Sequence, residues 1–308
     1  MLQEKKSTIR KKTGWDMSMA FMILPTIILF CAVSVYPFIW LTKYVFYDYN
    51  GFMQYYIGFD NFTRLFKDSI FWKSVLNTLE YAGLKLLFTM PISLLCAVFL
   101  SNKLRGKNFF RIIFFIPTVI SSAVYSLIFF FIYSPYNGVL NSILMSMGIT
   151  DKMIDWLGNP SIAMLSVVVV AVWGGFGNYM ILFLAGLQSI SKDIYESAEI
   201  DGASKVACFF QITLPLLGPI LKVILLLAIT TAFKDYQSVM VLTGGGPQDR
   251  TQVMFLYVYQ LMFGNDNATT SQLQIGYGAT VGLMSALIIG VITGIFLKVS
   301  KKLDSIYE

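Results

Sequence analysis

Two adjacent charges, Lys234 and Asp235, stand deep inside a mostly apolar run from Ile220 to Leu242, whose other charge, Lys222, lies at its start. A charge at the centre of a membrane helix costs about 2.5–3.5 kcal/mol on the insertion scale, so such residues mark binding, relay or pairing. Counted from Ile220 at ~1.5 Å per residue, Lys234 sits roughly 21 Å along a helix, in its outer half. Neighbouring residues point ~100° apart, so the two cannot share a face. One is expected to face a water-filled cavity and the other a neighbouring helix or loop. The alternative is a structural ion pair with Glu80 or Lys85.

A second constellation is Trp173-Gly-Gly-Phe-Gly-Asn-Tyr179, placed midway along another apolar run. Aromatic faces stack on the C–H faces of a sugar while Asn and Tyr bond its hydroxyls, and glycines leave room beside a cavity. The competing reading is helix–helix packing, with Gly174, Gly175 and Gly177 permitting close approach. Catalytic chemistry has no comparable set. Histidine is absent, and Cys31, Cys96 and Cys208 show neither a disulfide framework nor a metal-ligand spacing. The Gly106-Lys107 pair is followed by Asn108 and preceded by no Walker loop, so the chain has no phosphate cradle and no expected cofactor of its own.

These residues need helices to position them, and the composition supplies membrane helices. With 56% hydrophobic and 13% charged residues in 308, an ordinary soluble domain is excluded. Six apolar runs fall at about 19–41, 75–100, 109–133, 162–187, 220–242 and 275–297, each near the ~20 residues that cross a bilayer. The first is too long, and too poor in small-residue cleavage signals, for a secretory leader. Six spans place both termini on one side. That side carries Lys5, Lys6, Arg10, Lys11 and Lys12, the Lys103–Arg111 cluster, Lys192, Lys205, Lys222, Lys298, Lys301 and Lys302. Only Lys43, Arg64, Lys67, Lys73, Lys152 and Arg250 lie opposite, so the termini are expected in the cytoplasm. The same clustering accounts for the formal charge of +6 without nucleic acid. Among the outer connections, 134–161 carries Val139, Leu140, Ile143, Leu144 and Met147 at helical spacing, which predicts a short interfacial helix.

One stretch is neither apolar nor external. From Ser191 to Ile200 the residues suit a helix, with Ser191 or Asp193 as N-cap, and Gly202 supplies a stop because glycine enters the left-handed region without steric cost. A second short helix is expected from Ala203 to Ile212, ended by Leu214-Pro215. Small residues, Ala198 and Gly202, would let another protein's backbone approach this elbow, and Glu196 and Glu199 would meet a basic partner. An amphipathic helix resting on lipid is the alternative.

Glu196-Ser-Ala-x-x-Asp201-Gly202-Ala203, followed by Ile212-x-Leu214-Pro215 and Pro219, resembles the "EAA" loop of permease subunits in binding-protein-dependent ABC importers, with Ser197 replacing the middle alanine. Gly58-Phe-Asp-Asn-Phe62, Thr243-Gly-Gly-Gly-Pro247 and Gly276-Tyr-Gly-Ala279 are similar to its carbohydrate branch, so the likeness spans nearly the whole chain. The resemblance implies an all-α, six-helix polytopic membrane protein with the type I permease fold. Its parts would be a basic tail (1–18), a transmembrane domain (19–298) containing the coupling loop (189–219), and a C-terminal tail (299–308).

The resemblance also assigns roles. Tyr195, Glu196, Ser197, Ala198, Glu199, Asp201, Gly202 and Ala203 would couple to the ATPase. Trp173, Gly175, Phe176, Asn178 and Tyr179, with Phe233, Lys234, Asp235 and Tyr236, would line the substrate path. Lys234 and Asp235 depart from the neutral amides of maltose-type members, which argues against maltose itself. Implied partners are a second, similar permease, two cytoplasmic ATPases holding ATP and Mg, and an extracytoplasmic sugar-binding protein. The rival from another class is an ion-coupled secondary carrier using Asp235, Glu80 and Lys85.

Overall fold

The computed structural model describes residues 17–102, 105–264 and 273–307. Lys5 to Lys12, Lys103 and the side chain of Lys302 lie outside that range. In chain order come α1 (Met17–Phe30), a π turn at Cys31–Val35 and α2 (Tyr36–Lys43), then strands β1 (Tyr47–Tyr49) and β2 (Gln54–Tyr56). They are followed by α3 (Asp60–Lys67), α4 (Ser69–Ser101), α5 (Lys107–Val119), α6 (Ser122–Ile132), α7 (Val139–Ser146) and α8 (Ala163–Ser189). The remainder is α9 (Lys192–Ile200), α10 (Lys205–Cys208), a π turn at Phe209–Thr213, α11 (Leu214–Leu216), α12 (Gly218–Lys234), α13 (Gln237–Leu242), α14 (Met254–Phe263) and α15 (Ile275–Tyr307).

Four helical stretches are long and apolar enough to cross a membrane unbroken: Phe21–Phe46, α4, α8 and Ile275–Lys301. The expected span at 109–133 is sharply bent, whereas that at 220–242 lies within one stretch, Gly218–Leu242, interrupted only at Asp235–Tyr236. Lys107–Val119 and Ser122–Ile132 meet at 96°, Lys205–Leu216 and Gly218–Leu242 at 68°, and up to six spans result among the described residues if each bent pair counts as one. The first break follows Pro117, whose ring removes one backbone donor, and Ser121 restarts the helix by accepting from the Val124 N–H at 3.4 Å. The second break leaves Asp235 extended at ψ 97°, its carboxylate accepting from the Ser238 N–H at 3.4 Å. Beyond the breaks, α6 and α13 pack on each other, joined by Ser122 and Gln237 at 2.6 Å.

The core is the pairing of α4 with α8, closed by α12 on one side and α15 on another. Tyr81 on α4, with Val167, Val168 and Ala171 on α8, fills its centre. The span Phe21–Phe46 instead has no buried residue in its apolar window, and it joins the rest through Tyr44 and Val45, which pack on Ala279 of α15. The outer connections are more structured than expected. An antiparallel hairpin pairs Tyr47 with Tyr56, and α14 occupies part of the 243–274 connection. The predicted helix over Val139–Met147 is present as α7.

Candidate translocation and coupling sites

Asp235 is committed to its own chain. Its Oδ2 accepts from Lys85 Nζ at 2.5 Å and from the Tyr81 hydroxyl at 2.7 Å, and the Asp235 and Lys85 side chains are only 11% and 12% exposed. Tyr81 and Lys85 stand four residues apart on one face of α4, so one helix supplies both donors. Ser238 lies 3.5 Å from the Tyr125 hydroxyl of α6, and a Cβ on Gly174 would overlap the Tyr125 ring. The helix break is thus tied to α4, α6 and α8 together. Of the ion pairs foreseen between Lys234 or Asp235 and Glu80 or Lys85, the one between Asp235 and Lys85 is formed. Glu80 pairs with Arg250 instead, at 3.1 Å.

The remaining path residues divide. Phe233 is buried against Ala82 and Val281, its position on α12 turning toward α4 and α15. Tyr179 is buried with its hydroxyl 2.7 Å from Thr231, and Phe176 is half-covered by Phe114. Trp173, 38% exposed, leans its ring edge on Tyr125 and Phe129. Gly175 faces open space and Asn178 is exposed. On α12 an exposed stripe runs Val223, Leu227, Thr231, Lys234, and Lys234 has no ion-pair partner among the described residues. Tyr236, at the break, stacks on Tyr259 of α14. Asn178 and Lys234 are therefore exposed and Gly175 has open space beside it, whereas Asp235 and Phe233 are covered by the chain itself. Gly174 and Gly177 serve packing, since a Cβ on Gly177 would strike the Phe114 carbonyl of α5.

At the other end of α12 the elbow forms largely as expected. Ser191 caps α9, its hydroxyl accepting from the Asp193 N–H, and Gly202 ends the turn at φ +77°. Tyr195 fixes α9 to the following helix through Thr213, at 3.0 Å. Ala198 is buried in the elbow itself, its carbonyl accepting from the Ala203 N–H, so its small side chain serves the turn rather than an approaching backbone. Glu196, Ser197, Glu199 and Asp201 are exposed, and Ile200 is 86% exposed. The second short helix does not end before Pro215. A π turn over Phe209–Thr213, with the Leu214 N–H reaching the Phe209 carbonyl, widens the ladder and admits the proline, so the helix continues through Leu216 before bending 68° into α12.

Over residues 89–304 the sequence matches the family described as "Binding-protein-dependent transport system inner membrane component". The chain belongs to that family. This permease is 32% identical to the probable ABC transporter permease protein YurN of Bacillus subtilis, over 89% of this chain and 93% of that one. It is 31% identical to MsmF, the multiple sugar-binding transport system permease of Streptococcus mutans, over 97% and 99%. A bacterial alginate ABC transporter, solved in complex with an alginate pentasaccharide-bound periplasmic protein, superposes with a TM-score of 0.78 at 26% identity, covering 93% of this chain and 94% of its counterpart. The permease is accordingly a multi-pass inner-membrane subunit of an ABC importer, a transport subunit rather than an enzyme.

Residues outside the anticipated path complete the picture. Tyr81, Tyr125, Ser238 and Thr231 hold the two candidate regions in register. The spacing of Tyr81 and Lys85 was the available signal for the first pair; nothing local marks Ser238.

Proposed function

We propose that this permease forms half of the translocation path of an ATP-driven oligosaccharide importer. In that assembly a second, similar permease completes the path. Two cytoplasmic ATPases carry ATP and Mg, a binding protein delivers sugar from outside, and both termini are cytoplasmic. Segment 189–219 is the coupling loop of the transmembrane domain 19–298, between the short tails 1–18 and 299–308. Trp173, Gly175, Asn178 and Lys234 are its solute-facing residues. The sugar-handling relatives motivate the substrate class, and the exposed mix of aromatic, amide and cationic groups beside Gly175 suits a polyhydroxylated solute.

The observation that carries the coupling role is the elbow. Exposed Ile194, Ile200 and Val206 surround exposed Glu196 and Glu199, a surface that an isolated chain leaves uncovered and a partner with an apolar, basic cleft would fill. Motion imposed there passes through the helix from Lys205 to Leu216 into α12, and α12 delivers it to the break at Asp235. The carrier alternative needs titratable groups free to bind an ion, but Asp235 and Lys85 pair with each other and Glu80 pairs with Arg250. In proteoliposomes holding the purified assembly, Glu196→Lys and Gly202→Asp are expected to abolish uptake with membrane insertion unchanged. Full uptake by both variants would sink the coupling assignment.

A further inference from the structure

A cleft of about 670 Å³ opens at the end of the bundle far from the elbow, between α13, the Thr243–Pro247 loop and α14. Its size lies within the ~300–1,000 Å³ of small-molecule sites. Tyr259 and Phe263, four residues apart on one face of α14, line it together with Met240 and Leu157. The rings form a continuous series. Tyr236 stacks on Tyr259 with centroids 5.6 Å apart and planes at 27°, and Tyr259 meets Phe263 at 5.1 Å and 34°. The series starts at the α12–α13 break, one residue from Asp235, and ends at a Phe263 ring that is 71% exposed. The hydroxyls of Tyr236 and Tyr259 have no hydrogen-bond partner among the described residues.

Gln260, between the two α14 aromatics, is already bound to the Gly244 carbonyl and to Gln252, which fixes α14 against the glycine loop without using either phenol. What remains is a rigid aromatic track with unspent hydroxyls, leading from an open surface to the break beside Lys234 and Thr231. Sugars present C–H faces to an exposed ring such as Phe263 and hydroxyls to the phenols. An aromatic stack gives grip with little demand on which sugar is bound, because every pyranose has an apolar face.

We propose that Tyr259 and Phe263, with Tyr236 stacked behind Tyr259, form an entry subsite that holds the trailing units of an oligosaccharide while its leading unit occupies the Trp173–Asn178 region. This rests on the sugar-importer reading above. The subsite favours longer chains, whose trailing units extend beyond the inner position.

The test uses the whole importer in proteoliposomes, supplied with its binding protein and with malto-, cello- and arabino-oligosaccharides of increasing length. For the series that the wild type takes up, Phe263→Ala and Tyr259→Ala are expected to slow uptake of the longest chains about tenfold, the size of one lost stacking contact. Disaccharide uptake by the same variants should move far less, and Phe263→Trp should restore the long-chain rate. Unchanged uptake at every length would overturn the proposal and leave Phe263 as an aromatic resting in the lipid interface. An equal loss at every length would overturn it too, marking a docking or folding defect. A wild type that imports no sugar of the panel would remove the sugar reading and the subsite with it.

Discussion

At the far end of α12, Asp235 accepts from Lys85, Tyr81 and the Ser238 N–H, all within its own chain, whereas at the near end Glu196, Glu199 and Asp201 stand exposed beside an uncovered Ile200. The two ends use the same residue type for opposite ends. A carboxylate removed from water must be neutralised and hydrogen-bonded or it destabilises the fold, so the Asp235 cluster fixes where α12 stops. Carboxylates left in water cost nothing to hold and contribute nothing to the isolated chain, so the elbow's acids are available to a partner. Between them runs one helix, anchored at one end and free to be pushed at the other.

The largest effect follows from breaking the anchored end. Asp235→Ala leaves Lys85 buried without a counter-charge, and Lys85→Ala does the reverse; each is expected to cost about 3–5 kcal/mol. Thermal unfolding of the detergent-purified permease should fall sharply for either single change. The double variant Lys85→Met, Asp235→Leu should recover most of the loss, because a buried pair replaced by apolar groups of similar volume is close to neutral. Equal destabilisation by single and double variants would show that shape, rather than charge, holds the break. By comparison Glu199→Ala, at the open end, should leave unfolding unmoved.

A second cluster extends the comparison outside the spans. Asp68 caps α4, one oxygen accepting from the Ile70 and Phe71 N–H groups, while the other accepts from Tyr257 at 2.6 Å and Tyr277 at 2.5 Å. Burial pushes its carboxyl up, but the two phenols and then the two backbone donors outweigh burial and hold its pKa below the ordinary aspartate value. The sign follows: a depressed native pKa contributes stability that is complete above the unfolded value, about 3.9, and is lost as pH falls through the native value. Unfolding of the wild type should therefore ease below about pH 4, and Asp68→Asn should flatten that limb of the profile. An identical acid limb in both proteins would remove Asp68 as its source.

How much of this was legible in the sequence depended on how far each feature's cause lay along the chain. The six apolar runs were readable because bilayer thickness acts on each run alone. The elbow was readable for the same local reason: Ser191 and Gly202 cap and stop a helix whatever lies around them. The breaks were not. A membrane helix tolerates Pro117, and the pairing of Asp235 with Lys85, 150 residues earlier, was readable only as one alternative, with nothing to say that it interrupts the helix. The same distance hid the burial of Phe233, which one turn of α12 decides. The hairpin is a different case, since Asn50-Gly51 with Gly51 at φ +95° is a local turn signal between aromatic residues. It lay in plain view beside a stronger hydrophobic pattern.

The smallest expected effect separates packing from path on α8 itself. Gly174 and Gly175 are adjacent in a sequence that gives no reason to rank them, yet a Cβ on the first would run into the Tyr125 ring and one on the second would meet nothing. Gly174→Ala must shift Tyr125 or α6, an overpacking cost of about 1–3 kcal/mol. Because Tyr125 neighbours Ser238, that shift should reach the α13 side of the break. Gly175→Ala replaces a helical glycine with a better helix former in open space, and should raise stability by roughly 0.5–1 kcal/mol. If Gly175 borders the solute, the gain in stability will come with slower uptake, since the added methyl projects where the sugar passes. A Gly175→Ala permease that is more stable and transports at the wild-type rate would move the solute off this face of α8, leaving Asn178 and Lys234 to be tested without it.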